Sequence, residues 1–575
     1  MTSRKFWTEN RPELFDKYMG GAGAAAALLR EEVSASTDPL SPENAVVLAV
    51  GPLTALYPMA SKTVAAFKSP LTGDYGESHA GGRSATAIRM AGYGAIVIRG
   101  ASRSPVYIAI HEDKVYFRDA RALWGMRSSY TVGRVIREAE PGAGVRAIMR
   151  IGRAGERLVR YATVITETYR HFGRLGLGAV FGSKKLKALV ISGKKSIKVE
   201  KPQEYRRVYR EIYEAAVKSK LMRKYHDIGT AVNIVPLTRI KALPSLNLKQ
   251  ATLQGIEEVS GEALAERHLA KRVACAHCPV ACIHLAALRE PYPDEPYFYK
   301  TTFVSYDYEL IYSLGAMLGV TSTRGLLKLI EAVEALGLDA ISTGVALAWA
   351  TEALEKGVVV ASETIAQLKW GDWASYLKAI EYIADQPSQF YKTLAKGVAQ
   401  AAREYGGEEY ALHYAGCEIP GYHTGPAAHI GYAIGARHSH LDSAGYSLDQ
   451  KILAASQQPP SPQELVDKLV EEECWRQVLS SLVVCYFARG IYTPETTAKA
   501  LKPLGTAVDS AALRELGQEV YKLKYRLKLE LGFNPDSLKI PKRALETPTP
   551  LGKISESYFK EAITYFKHKL SKMMA

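Results

Sequence analysis

The segment Gly173-Arg-Leu-Gly-Leu-Gly-Ala-Val-Phe-Gly-Ser-Lys184, running on into the apolar Ala188–Ile191, stands where one kind of sequence gives way to another. Before it, the 575-residue chain is rich in glycine and its apolar runs are short. Ala45–Val50, Ala95–Arg99, Val106–Ile110 and Ala188–Ile191 read as strands bounded by Gly, Pro or Asp. After Lys201-Pro202, apolar residues recur at three- and four-residue spacing with charges between them, the period of a half-buried helix. Gln203–Lys220, Thr323–Leu336, Val345–Lys356 and Ser375–Ala384 follow that pattern. So do Ser461–Cys474, opened by Ser461-Pro462 with Glu464 in the capping position, Ala511–Leu531 and Ser555–Lys572. The expected fold is α+β: a β-rich domain over residues 1–200, then mainly helical domains over 201–410 and 411–575.

The glycine-rich segment itself has two readings. A nucleotide-hydrolysing P-loop ends Gly-Lys-[Ser/Thr], whereas the order here is Gly182-Ser183-Lys184, which argues against ATP hydrolysis. Backbone amides freed by glycine, with Arg174 and Lys184 alongside, suit a phosphate cradle; tight turns at a sheet corner need no ligand. Gly20-Gly-Ala-Gly23, ahead of the helix-like Ala24–Glu32, raises the same question.

Composition narrows the class. A 47% hydrophobic and 23% charged chain is globular. No apolar run reaches membrane-spanning length, since Val345–Leu354 is interrupted by Thr351 and Glu352. Met1-Thr-Ser-Arg-Lys-Phe-Trp7 has no apolar stretch of signal-peptide length, so the expected location is the cytoplasm, away from membranes. The net charge is +15, but the basic residues are scattered, and the densest cluster, Gly182-Ser-Lys-Lys-Leu-Lys187, lies among glycines and aliphatics. That speaks against nucleic acid and for acidic electron-transfer proteins or anionic cofactors as partners. Only five asparagines occur, a composition that suits a thermophile.

Cys275, Cys278 and Cys282 form C-x2-C-x3-C, while Cys417, Cys474 and Cys485 stand far downstream. Three thiols on one short loop can face one metal centre. An iron–sulfur cube takes three close thiolates and a remote fourth. Tetrahedral zinc, completed by His277 or His284, remains the alternative, although no second C-x2-C pair is present. Buried structural cysteines are the third reading. Pro279 keeps the loop from becoming regular helix.

Taken together, the motifs resemble the tungsten-containing aldehyde:ferredoxin oxidoreductase family over nearly the full length. They are Thr37-Asp-Pro-Leu-Ser-Pro-Glu-Asn44, Gly51-Pro-Leu-Thr54, Lys68-Ser-Pro-Leu-Thr-Gly73, Ala91-Gly-Tyr93, Leu123-Trp-Gly125, Gly152-x2-Gly155-Glu156 and Gly176-x-Gly-Ala-Val-x-Gly-Ser-Lys184. Downstream lie Cys275-x2-Cys-x3-Cys282, Asp307-Tyr-Glu309 and Glu334-x2-Gly-x-Asp339-Ala-Ile-Ser-Thr-Gly344.

The resemblance implies an N-terminal β-rich pterin-binding domain whose bis-pyranopterin holds tungsten (or molybdenum). Cofactor sulfurs hold that metal, so side chains do not choose between the two. It also implies a [4Fe–4S] cluster bound by Cys275, Cys278, Cys282 and the remote Cys485, and magnesium bridging the pterin phosphates through the backbone carbonyls of Ala179 and His79. Glu309 and His440 match the family's catalytic glutamate and histidine, with His438 the alternate for the latter. Asp339 matches a pterin-binding position, Arg174 suits the phosphates, and Lys62 stands where an arginine usually lies between pterin and cluster. The implied reaction is oxidation of a small aldehyde to a carboxylic acid, with ferredoxin as acceptor and a monomer or homodimer as the assembly.

The chain also departs from the family pattern. The second pterin motif reads Ser480-x2-Val-Val-Cys485, so Ser480 replaces a carboxylate. Tyr422-His-Thr-Gly-Pro426 replaces Asp-Pro-Arg-Gly, and Tyr422, His423 and His429 read either as a polar pocket lining or as surface loop. Reduction of a carboxylic acid or other carbonyl at the same cofactor, and a non-catalytic electron-transfer paralogue, are the alternatives.

Overall fold

The structure, a computed structural model, describes residues 1–167, 169–292, 294–295 and 297–574. Its N-terminal part is built on two sheets. The first is antiparallel, with order β3-β2-β1-β4, and comprises β1 Val46–Ala49, β2 Thr63–Lys68, β3 Tyr75–Ala80 and β4 Ala95–Ile98. The second has order β6-β5-β10-β7-β8-β9: β5 Val106–His111, β6 Lys114–Asp119, β7 Val145–Ile151, β8 Val164–Thr166, β9 His171–Phe172 and β10 Leu186–Gly193. Within it only β5 and β10 run parallel.

β1 and β2 are buried along their whole length because the first sheet divides two apolar cores. Side chains alternate across a strand. Val46, Leu48, Ala65 and Phe67 join a core with Ile108, Met149 and Leu189 of the second sheet. Val47, Ala49, Val64 and Ala66 face the opposite core, with Leu28 and Leu29 of helix Gly21–Glu32, Val208 and Ile212 of helix Pro202–Lys218, and Val478. Cys278, Cys282 and Cys485 pack against that second core. The sheet's far side is therefore where the cysteine motif sits.

The helical remainder matches the periodicity closely. Thr323–Leu336 is one helix, and Pro462–Ser481, Ser510–Glu530 and Glu556–Met574 overlay the expected C-terminal helices. The Gln203–Lys220 run, by contrast, breaks at Ser219, whose hydroxyl caps a second helix, Lys220–Ile228. The expectation of a mainly helical middle segment omitted an antiparallel sheet, β11 Leu269–Val273, β12 Ile283–Pro291 and β13 Tyr299–Tyr306, which carries the cysteine loop between its first two strands. One further core joins residues from both 201–410 and 411–575, among them Tyr312, Leu347, Tyr432, Leu465 and Phe566. No helix among the described residues is long and apolar enough to cross a membrane.

Glycines 176, 178 and 182 allow close backbone approach. A Cβ on Gly182 would lie 1.9 Å from Gly155 O, and one on Gly176 2.0 Å from Arg160 O. Lys184 Nζ donates to Pro42 O and Gly100 O, both at 3.1 Å, so it ties loops together rather than facing a phosphate. Gly21 plays a similar part, packing against the Ser480 and Ser481 carbonyls with φ of +37°.

Candidate active site

Cys275 and Cys282 bound a tight loop in which His277 and Ala281 take left-handed backbone angles. The loop docks on Gly81-Gly82: Ala276 N–H donates to Gly82 O at 2.9 Å, and a Cβ on Gly81 would stand 2.8 Å from Cys275 Sγ. Cys485 reaches the same place from the end of helix Pro462–Ser481. Met59 joins the two, its N–H donating to His277 O at 3.1 Å and its carbonyl accepting Cys485 N–H at 2.9 Å. All the cysteines are free thiols. Burial, then the neighbouring Cys485, pushes the Cys278 thiol up to about 12. Burial likewise raises Cys282 to about 11, opposed by Arg170, whose Nη2 lies 3.4 Å from Cys282 Sγ. Among the described residues no three His, Cys, Asp or Glu side chains converge tightly enough to grip a single ion.

Lys62 lies beside this set. Its N–H donates to Val483 O, and its ammonium stands 4.6 Å from the centre of the Tyr486 ring. Burial lowers its pKa, while Cys485 and Cys275 favour the charged form and Arg437 and Arg170 oppose it.

A second cluster forms around Glu309. Asp307 caps helix Tyr308–Leu314 by accepting Leu310 N–H, which sets Glu309 in the first turn. Glu309 Oε2 accepts Gly421 N–H at 3.3 Å, and Oε1 lies 3.4 Å from His440 Nε2, near but not aligned as a hydrogen bond. His438 is turned elsewhere, between Tyr432 O and Lys528 Nζ, so the pairing singles out His440. Burial, then Asp307, pushes Glu309 up to about 8. Burial, then Arg174, pushes His440 down to about 3. Arg174 binds Asp339 Oδ2 (3.3 Å) and Glu418 O (2.6 Å). Three buried polar atoms here lack partners: Arg174 Nη1, Glu309 Oε1 and His440 Nδ1. Buried polar groups are ordinarily satisfied, so the cluster fits a bound polar group.

Aromatic rings close it. Tyr422 stacks on Tyr446 at 4.2 Å and lies 4.7 Å from Tyr308 and 5.3 Å from His440. The backbone that presents Tyr422 is held by tyrosine hydroxyls, Tyr312 to Ile419 O, Tyr308 to Gly421 O and Tyr432 to Tyr422 O. The surface-loop reading of Tyr422, His423 and His429 is thereby excluded, since all three are buried.

Asp339 caps helix Ala340–Glu355, its oxygens accepting from Ile341 N–H, Ser342 Oγ–H and Arg174. Ser480 Oγ lies 2.5 Å from Tyr486 Oη. His79 Nε2 lies 2.8 Å from Glu77 Oε1, on β3 opposite Val64. Ala179 is buried in helix Leu177–Ser183.

Sequence reasoning missed a buried charge network behind Tyr486. Glu77 meets Lys524 at 2.6 Å and Arg437 at 3.7 Å, and Arg437 binds Asp442 at 2.6 Å. Nothing local in the sequence marks Glu77 and Lys524 as partners 447 positions apart.

Residues 1–193 match the aldehyde ferredoxin oxidoreductase N-terminal domain, and residues 207–573 match domains 2 and 3 of the same family. The chain is 32% identical over 558 residues to the tungsten-containing aldehyde ferredoxin oxidoreductase of Pyrococcus furiosus, covering 94% of this chain and 89% of that one. The same figures hold for the protein of that name from Thermococcus kodakarensis. A subunit from Pyrococcus furiosus named aliphatic sulfonate oxidoreductase, WOR-like subunit, is 30% identical over 433 residues, spanning 71% of this chain and 67% of the relative. Among solved structures, the active site complex BamBC of benzoyl coenzyme A reductase with 1,5 dienoyl-CoA superposes with a TM-score of 0.83 at 21% identity, over 98% of this chain and 92% of that one, a likeness of fold.

The protein is thus an oxidoreductase of the tungsten- or molybdenum-pterin class. It belongs to the aldehyde ferredoxin oxidoreductase family, as the motifs led one to expect, and its low asparagine content fits the sources of these relatives.

Proposed function

We propose that the protein oxidises a small aldehyde to its carboxylic acid in the cytoplasm and hands the electrons singly to ferredoxin. The observation that carries this reading is the Glu309–His440 pair, 3.4 Å apart in a buried cluster beside Tyr308, Tyr422 and Tyr446 whose polar atoms are not all satisfied from within. Arg174 and Asp339 would hold the pterins, with Ser480 at the second motif and the carbonyls of Ala179 and His79 serving magnesium. Cys275, Cys278, Cys282 and Cys485 would hold a [4Fe–4S] cluster, with Lys62 between it and the pterin. When bound, the metal centre supplies a two-electron sink and the cluster a one-electron outlet.

The side chains supply the proton chemistry. At neutral pH Glu309 carries its proton and His440 is neutral. Protonated, Glu309 can donate to the carbonyl oxygen of an aldehyde; ionised, it can take a proton from attacking water. Tyr308, Tyr422 and Tyr446 orient the substrate and exclude bulk water. Overall, aldehyde and water yield acid, two protons and two electrons.

Carbonyl reduction is the second reading, and the proton held by Glu309 at neutral pH favours it. The loss of a carboxylate at Ser480 favours a non-catalytic paralogue. Elemental analysis of anaerobically purified protein for W, Mo, Fe and Zn, joined to aldehyde-dependent viologen reduction, separates these. Tungsten or molybdenum with iron and turnover supports the proposal. Iron without either heavy metal, after growth with both oxyanions, supports the paralogue, and zinc alone overturns the cluster.

A further inference from the structure

The helical pair Pro202–Lys218 and Lys220–Ile228 lies over the cysteine motif. His226 Nδ1 meets Val280 O at 2.8 Å, and Arg272 Nε donates to His226 O at 2.9 Å. The Tyr225 ring stacks at 4.4 Å on Phe487, two residues past Cys485. Met222 and Val280 share the core against which Cys278, Cys282 and Cys485 pack. The outer face of the second helix is therefore separated from the thiols by about one helix diameter, ~10–12 Å, and the first helix packs on the same core through Val208, Ile212 and Ala216. Tyrosines span the inner side: Tyr57, Tyr205 and Tyr209 are mutual ring neighbours, and Tyr209 stacks on the surface residue Tyr213 at 6.2 Å.

That outer face is unusual in two ways. Residues 201–224 carry eight basic and three acidic side chains, a third of the chain's net charge of +15. Ion pairs tie Arg207 to Glu211, Lys218 to Glu214 and Arg223 to Asp227. Arg206, Arg210, Lys220 and Lys224 are outside the ion pairs found among the described residues. Amid these cations, Tyr213 and Val217, one turn apart on the first helix, and Leu221 at the start of the second are 43%, 55% and 43% exposed. An apolar centre rimmed by like charges is the anatomy of a protein contact that is steered electrostatically and held by apolar burial.

We propose that this face is the docking surface for a small acidic one-electron carrier protein, and that electrons leave the cysteine-bound centre there. The inference rests on the electron outlet proposed above and adds its location. Each two-electron oxidation of substrate reduces two carrier molecules by one electron each, the two protons going to solvent. Charge complementarity selects the occupant: a carrier with an acidic rim around its redox centre meets the unpaired cations while its centre faces the tyrosines.

The test uses holoenzyme and a purified acidic [4Fe–4S] ferredoxin, with binding read by biolayer interferometry at low and physiological salt. The charge-reversed triple variant Arg210→Glu/Lys220→Glu/Lys224→Glu should weaken binding at least tenfold, mostly through slower association, and flatten the salt dependence. Val217→Ser/Leu221→Ser should weaken it by faster dissociation. Viologen-linked turnover and iron content should stay at wild-type levels in both. The control Lys542→Glu/Lys560→Glu/Lys572→Glu should bind as wild type. Affinity within twofold of wild type for the triple variant overturns the proposal, as does equal loss in the control. Tight binding of a single-stranded DNA 20-mer that is lost in the same variant also overturns it, by assigning the face to nucleic acid. Absence of aldehyde-dependent viologen reduction in the wild type defeats the functional reading instead, and the binding result still decides the surface.

Discussion

Glu309 Oε1 and His440 Nε2 lie 3.4 Å apart although 131 positions separate them in the chain, and neither is charged at neutral pH. Burial produces both states, raising a carboxylic acid and depressing an imidazole. Two neutral partners at this spacing form no fixed ion pair, and since their atoms are not aligned as a hydrogen bond, Glu309 Oε1 is left open to a third group. Helix Tyr308–Leu314 positions the first, and the capping turn at Ser439 the second.

Replacing Glu309 with Gln keeps the shape and the contact with Gly421 N–H but removes the exchangeable proton. Aldehyde turnover should fall by about 10²–10⁴-fold, the usual worth of a positioned acid–base group. Metal content and thermal stability should hold. Unchanged turnover would remove the catalytic assignment.

The same carboxyl sets a pH profile. Glu309 is pushed up to about 8, so the carboxylate fraction grows as pH rises through that value. If water deprotonation limits oxidation, kcat rises with an apparent pKa near 8 and the E309Q variant loses that limb. If donation to the carbonyl limits instead, kcat falls over the same range. A flat profile from pH 6 to 9 in the wild type would show that Glu309 does not titrate in turnover.

The β-rich start, the long helices and the cysteine motif were legible because each is local. A short apolar run bounded by breakers marked Ala45–Val50, helical periodicity marked Thr323–Leu336, and three thiols on one loop announced themselves. Contacts between distant segments were not legible. Met59 bridging His277 to Cys485, and the unpartnered Arg174 Nη1 beside Glu309, depend on how the first sheet meets elements hundreds of residues later. The β11–β13 sheet escaped because its strands do not alternate: Leu269–Val273 is exposed at its three central residues, Ile283–Pro291 is buried at its first four, and Tyr299–Tyr306 is buried only at its last three. Gly176, Gly178 and Gly182 read as a phosphate loop or as tight turns, and close packing against Arg160, Thr163 and Gly155 now accounts for them.

Lys524 and Glu77 join the last third of the chain to β3, and each side chain is 1% exposed. Lys524→Ala leaves a carboxylate buried against His79 and Tyr75, with only Arg437 at 3.7 Å to balance it. Breaking such a pair on one side costs about 3–5 kcal/mol. The double variant Lys524→Met/Glu77→Gln, which removes both charges, should recover most of that loss. Chemical denaturation of the two variants against wild type measures the difference, and equal losses in both would show that the pair's charges are not what holds the contact.

Acid sensitivity follows from a buried hydrogen-bond chain. His423 Nε2 meets Thr547 O at 2.9 Å, which accepts only, so that nitrogen carries the proton. His423 Nδ1 then accepts from His429 Nε2 at 2.8 Å, and His429 Nδ1 accepts from Tyr414 Oη at 2.7 Å. Every donor is used, and neither ring has room for a second proton without breaking the chain. Burial accordingly pushes His423 down to about 4 and His429 well below its ordinary 6.5. Between about pH 6.5 and 4 the unfolded chain binds protons that the folded one refuses, so stability is full above 6.5 and is lost as pH falls through that window. Each unit of pH costs about 1.4 kcal/mol per histidine there. Urea unfolding at pH 7.0, 6.0 and 5.0 should show the decline. His423→Gln, whose amide can still donate to Thr547 O and accept from His429, should shallow it. An identical slope in that variant would assign the acid sensitivity to the remaining histidines that burial holds low, His429 and, at about 3 to 4, His79, His413, His438 and His440.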